Sequence, residues 1–224
     1  MMMDIFSSFD PATTSMFQIS PTLFWSMNIM TILLIHPLFW SCPNQTFWLL
    51  SLPINTMEEQ SNRTSATNLK GLTTILTAMF ILIISINFTG IAPYVFSSSS
   101  HLFLTLTLGL PMWLSLIISS LKFSLPTTLA SLLPGGAPAW LNPFLILIET
   151  VSTLVRPITL SFRLAANMSA GHIVLTLISI YLVYASISMS FSSLFLLLIQ
   201  VGYTIFEMGI CLIQAYIFCL LLSL

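Results

Sequence analysis

The chain has 224 residues, of which 57% are hydrophobic and only 5% charged, with a formal net charge of −1. Ordinary soluble domains carry about a quarter charged residues, so a soluble globule covered by this little polar surface is excluded. A net charge near zero gives no electrostatic basis for nucleic-acid binding, and the length suits one compact membrane-embedded domain over residues 1–224.

The N-terminal stretch MMMDIFSSFDPATTS holds no Lys or Arg. It reads as neither a basic signal peptide nor an organelle transit peptide. A chain this apolar is hard to import into an organelle, which favours synthesis on the membrane's own side. The first long apolar run covers 15–40, enough for a span of roughly 20 residues. Aromatic residues stand near its ends, as expected at headgroup level, and Pro37 and Pro43 mark its exit.

The polar cluster NTMEEQSNRTSATNLK follows at 55–70. Thr56 and Glu59 have the spacing of a capping box and predict a short polar helix on the membrane surface, starting there. A solvated loop is the alternative. Two further spans are predicted over 71–91 and 101–121, joined by the short turn APYVFSSSSH. Prolines and the paired Gly135 and Gly136 then break the pattern in KFSLPTTLASLLPGGAPAWLNP. Two long helices, about 142–185 and 191–223, complete the chain around the serine-rich SISMSFSS. Each exceeds an upright span and must tilt strongly or lie partly along the membrane. The predicted fold class is an all-α membrane protein, with no inverted repeat between its halves.

Orientation follows from the basic residues. Arg63 and Lys70 follow the first span and Lys122 the third, which places them on one side. The N-terminus and the turns 92–100 and 186–192 carry no Lys or Arg and fall on the other. Glu149 then begins the fifth helix on the basic side, and His172 lies towards the opposite side.

Charges inside the apolar runs point to function. A helix turns about 100° per residue, so Glu149, Arg156 and Arg163, spaced by sevens, drift only about 20° per step and form one stripe. Asn167 stays near it. Gln200, Glu207 and Gln214 form a second stripe by sevens on the last helix. A charge at the bilayer centre costs at least ~2.5–3.5 kcal/mol on insertion scales, and such residues mark ion paths or face a protein partner. If the two long helices turn back on each other near 188–189, Arg163 comes level with Gln214, and His172 comes level with Glu207 within two positions. His and Glu exchange protons, as a proton path requires. Arg163 does not release its proton at any working pH, so it suits an electrostatic barrier or counter-ion better than a relay.

Other features have plainer readings. Arg156 precedes Pro157 and suits a structural or interfacial role. Glu149 fits either an interface-level acid or a path residue. His36 and His101 sit at span edges, and Lys122 and the charges over 58–70 read as a solvated face. Cys42, Cys211 and Cys219 lack metal-ligand spacing and read as small apolar residues. On a straight helix His172 points about 180° away from Arg163. A bend permitted by Pro157 and Gly171, or access to water on the far face, reconciles the two.

RLAANMSAGH at 163–172, with NFTGIAPYVF at 87–96, IET at 148–150 and EMGICLIQAY at 207–216, resembles subunit a of the rotary ATP synthases in its animal mitochondrial form. Order and spacing match from about 55 to the end, and the first 50 residues match in character only. The resemblance implies one N-terminal span, an amphipathic surface helix, a helical hairpin and two long tilted helices curved around a ring of c subunits. It implies that Arg163 faces the ring's proton-carrying carboxylate and blocks leakage between two half-channels. Asn167, His172, Glu207 and Gln214 fall on polar positions of the entry half-channel, and Glu149 on an acid near the exit to the matrix. Tyr216 is a weaker match, and Arg156 is not given the essential role. The resemblance further implies the mitochondrial inner membrane and organelle encoding. The implied partners are the c ring, other Fo and peripheral-stalk subunits and the lipid bilayer, with protons as the transported ion.

No GxxxxGK[ST] occurs, so the chain is read as no enzyme, with no cofactor or metal of its own, and ATP chemistry falls to partner chains. A stand-alone ion antiporter is the alternative, and it calls for paired broken helices related by a repeat. A purely structural subunit leaves the central arginine, the acids and the amides unexplained.

Overall fold

The computed structural model describes residues 45–64, 68–92, 95–133, 139–188 and 191–223, with positions 6, 9, 10, 22, 25 and 26 before them. The span expected over 15–40 lies outside these residues but for three positions. The described elements are all helical: α1 (Gln45–Arg63), α2 (Leu72–Ile91), α3 (Leu102–Phe123), α4 (Leu125–Ser131), α5 (Asn142–Ile187) and α6 (Ser192–Ser223), with 3-10 turns at Ser98–Ser100 and Ala139–Leu141. No strand occurs among the described residues. Four of the helices, α2, α3, α5 and α6, are long and apolar enough to cross a membrane.

The two C-terminal helices have 46 and 32 residues. At 1.5 Å per residue they reach roughly 69 and 48 Å, well beyond a hydrocarbon core of roughly 30 Å. Helix α5 continues through Pro157 without interruption.

Two sequence expectations are corrected. Helix α1 begins at Gln45, well before the start proposed at Thr56. Thr56 therefore caps nothing: it lies inside the helix, and its hydroxyl donates to the Pro53 carbonyl at 2.9 Å. The segment upstream, from Gln45, is itself helical and runs into the polar stretch as far as Arg63. The break after α3 is also partly helical, because Pro126, near the N-terminus of α4, is compatible with a first helical turn.

The described chain forms two compact units. The first comprises residues up to Ser100 together with Ala166–Leu224. In it α2 packs against α1 and α6. Met57 and Ser61, one turn apart, are buried on α1, while Glu58, Glu59, Asn62 and Arg63 are exposed. Leu72, Leu76, Phe80 and Ile83 make the buried face of α2, and Cys211, Ala215, Phe218 and Leu222 that of α6. Both sets have the three- and four-residue spacing of one helix face. The Cys219 thiol donates to the Leu76 carbonyl at 3.6 Å.

The second unit is His101–Ala165 and holds α3, α4 and the first part of α5. Its buried positions include Thr105 and Gly109 on α3 and Leu160, Ser161 and Leu164 on α5. Most other apolar side chains of α5 are exposed, among them Phe144, Leu147, Leu154 and Phe162. An apolar surface of this kind suits lipid or apolar partner helices.

Candidate functional site

In the first unit, the C-terminal part of α5 meets α6 through polar and sulfur contacts. Asn167 Nδ2 donates to Gln214 Oε1 at 3.1 Å. The Cys211 thiol donates to Met168 Sδ at 3.4 Å. A β-carbon on Gly171 would collide with Glu207 Oε1 and lie 2.7 Å from Glu207 Cδ. As numbers rise on α5 they fall on α6, so these segments run antiparallel. Residues 207, 211 and 214 share one face of α6, and 167, 168 and 171 one face of α5.

Glu207 is the chemical centre of this contact. Its side chain is only 3% exposed, and neither carboxylate oxygen has a hydrogen-bond partner among the described residues. His172 follows Gly171 directly. Its Nε2 is buried without a hydrogen-bond partner among the described residues, and its ring meets Phe9 edge-on at 6.2 Å. No hydrogen bond joins His172 to Glu207. Gln214 is buried and Tyr216 half-buried, both on α6.

The other charged residues of α5 lie elsewhere on it. Glu149, half-buried, and Arg156 and Arg163, both exposed, belong to the second unit. Glu149 and Arg156 stand about 10.5 Å apart along the helix axis, and no ion pair joins them.

Sequence reasoning missed three polar residues of the first unit. Asn87 on α2 is 1% exposed, and both atoms of its amide lack hydrogen-bond partners among the described residues. The hydroxyls of buried Ser98 and Ser99 are likewise unpaired. This end of α2 approaches the α5–α6 contact: a β-carbon on Gly90, one turn after Asn87, would lie 3.2 Å from Met168 Cε and 3.5 Å from Ser97 Cβ. A single amide in an otherwise apolar span is the signal that would have found Asn87.

An unsatisfied buried polar group costs about 1–3 kcal/mol. Asn87, Ser98, Ser99, His172 and Glu207 together concentrate such groups in one unit of a membrane protein. Buried water commonly satisfies groups of this kind, and hydrated acids and imidazoles pass protons.

The profile of the family described as ATP synthase A chain matches residues 12–224. The chain belongs to this family. It is 38% identical to ATP synthase subunit a of Locusta migratoria, over 100% of this chain and 97% of the relative. With the proteins of the same name from Albinaria caerulea and Drosophila yakuba it shares 40% and 37%, at the same coverage of both chains. Membership makes it a membrane-embedded component of an ATP synthase complex, in the service of ATP synthesis and proton transport.

Proposed function

We propose that this chain is the proton-channel stator subunit of the Fo sector, working in the mitochondrial inner membrane against a ring of c subunits. The relatives are animal proteins named ATP synthase subunit a, which supports this placement. Two offset half-channels carry protons to and from the ring's carboxylates. Glu207, with His172, Asn167 and Gln214, serves the entry half-channel. Glu149 serves the exit on the side of Arg63, Lys70 and Lys122. Arg163, permanently charged, faces the moving carboxylate and prevents protons from crossing directly between the two routes. Nucleotide chemistry belongs to other subunits of the complex.

The observation that carries the reading is Glu207: an acid buried within a long apolar helix, with both oxygens unpaired, beside a polar pair joining two helices. Such an acid is costly to keep without a role in moving charge. The test is Glu207→Gln in coupled membrane vesicles with the assembled complex quantified. Proton-driven ATP synthesis should fall by about tenfold or more, which corresponds to about 1.4 kcal/mol or more on the rate-limiting barrier. A rate within about twofold of the parent at equal assembly would overturn the reading.

A further inference from the structure

Cys211 on α6 and Met168 on α5 bring two sulfur atoms together where these helices meet. The Cys211 thiol donates to Met168 Sδ at 3.4 Å, the two residues are 1% and 3% exposed, and Cys211 is in no disulfide. A carboxylate stands beside them. Glu207 and Cys211 are four residues apart on one face of α6, where β-carbons are about 5–6 Å apart. On α5 the same carboxyl group reaches Gly171, three residues from Met168. Glu207 is 3% exposed, and neither of its oxygens has a hydrogen-bond partner among the described residues. We infer that Cys211 and Met168, with Glu207 beside them, form a binding site for a soft monovalent cation of the Ag+ or Cu+ class.

The donor set selects that class. Thiolate and thioether sulfur favour soft d10 cations, whereas carboxylates and carbonyls favour hard ones. Among the described residues no three His, Cys, Asp or Glu side chains gather into a metal site, so the thioether is what completes a pair of soft ligands. With bonds of about 2.3 Å, as for zinc and thiolate, sulfurs 3.4 Å apart can hold one ion between them. The unbranched Met168 side chain has three rotatable bonds with which to widen the angle at the ion. Binding releases the thiol proton. A monovalent ion therefore replaces a proton with no change in net charge, which suits an apolar interior where added charge is costly. Cys219, two turns further along α6, donates instead to the Leu76 carbonyl and serves as the comparison thiol.

The site goes beyond the proposed function; its consequence for transport rests on that function, since an ion beside Glu207 would obstruct proton entry. Silver nitrate in chloride-free buffer is the probe, applied to coupled membrane vesicles holding the assembled complex. The parent is compared with Cys211→Ser, Met168→Leu and Cys219→Ser, each scaled to its own silver-free rate and amount of assembled complex. The readouts are silver bound per complex and the silver concentration that halves ATP synthesis. Cys211→Ser and Met168→Leu should each raise that concentration by about tenfold or more, because each removes one soft ligand. Cys219→Ser should leave it unchanged. Bound silver at limiting concentration should fall in the first two variants and not in the third. If Cys211→Ser does not assemble, Cys211→Ala takes its place, and Met168→Leu tests the site independently. A loss of silver response in the Cys211 variant with none in Met168→Leu reduces the site to a lone thiol and overturns the inference. Unchanged silver content and response in both variants also overturn it. Silver that is bound through Cys211 and Met168 without slowing synthesis in the parent supports the site, and removes Glu207 from the proposed entry route.

Discussion

Asn167 on α5 donates its side-chain amide to Gln214 on α6 at 3.1 Å, across 47 residues of sequence. Asn167 is exposed and Gln214 buried in the chain, so the two partners differ in what their loss leaves behind. Asn167→Leu strands a buried amide, at a cost of about 1–3 kcal/mol. Gln214→Leu strands an amide that keeps access to other partners. Asn167→Leu should therefore lower the heat resistance of the assembled complex more than Gln214→Leu, and Asn167→Leu/Gln214→Leu should recover part of the loss. Survival of the complex on native gels after graded heating measures this. Equal losses, with no recovery in the double variant, would remove the hydrogen bond as their cause.

The long helices were legible because their apolar runs are unbroken and their few polar residues repeat by sevens. Expectation placed them at 142–185 and 191–223, and the structure gives Asn142–Ile187 and Ser192–Ser223. The start of α1 was not legible. Thr56 and Glu59 imitate a cap, and only the path of the upstream backbone shows that the helix already exists there. Turning the hairpin near 188–189 brought His172 to the level of Glu207, and the structure places the adjacent Gly171 against that acid; the same arithmetic set Arg163 level with Gln214, whereas Gln214 bonds Asn167, one turn further on. The approach of Glu207 to Gly171 and the burial of Asn87 depend on which helices meet. That information lies in three-dimensional packing and not in the period of one segment. In sequence Gly171 read as a site of bending; in the structure a side chain of another helix fills the space beside it.

The two arginines of α5 should behave unequally. Arg163→Ala should abolish proton-driven ATP synthesis or uncouple it, because on the proposed function it removes the fixed charge that faces the moving carboxylate. Arg156→Gln should retain most of the activity, because Arg156 lies two helical turns before Arg163 on α5, away from the proposed contact with the moving carboxylate, and forms no ion pair with Glu149 among the described residues. ATP synthesis and passive proton leak, measured in the same vesicles, separate loss of transport from loss of coupling. Normal coupled synthesis with Arg163→Ala would sink the assignment.

Glu149 and Glu207 should open to opposite faces of the membrane. Glu149 precedes Arg163 by fourteen positions, roughly 21 Å along α5 at 1.5 Å per residue. The proposed function gives Glu149 to the exit on the side of Arg63, Lys70 and Lys122. With Cys42, Cys211 and Cys219 replaced, single cysteines at 149 and 207 should react with a membrane-impermeant thiol reagent from opposite sides of oriented vesicles. Reaction of both from one side would contradict two offset routes.

His172 and Glu207 should act as one unit in proton entry. Glu207 rests against Gly171, the residue before His172, yet the two side chains share no hydrogen bond. The imidazole Nε2 and both carboxylate oxygens are buried and unpaired, so each group has unmet capacity to bind water. If one hydrated pocket serves both, a proton that cannot use the carboxylate gains nothing from the imidazole. The effects of His172→Ala and Glu207→Gln on ATP synthesis should then fail to multiply. The double variant should be no more than about twofold slower than the poorer single one, whereas independent groups would give the product of the two losses. The exchange variant His172→Glu/Glu207→His should recover part of the activity, because the pocket retains one acid and one imidazole. The pH profile should change shape in both single variants, since each removes a titrating group from the same route. Multiplicative losses, with no recovery in the exchange, would separate the two residues and leave His172 as a polar side chain packed on Phe9, outside the path through Glu207.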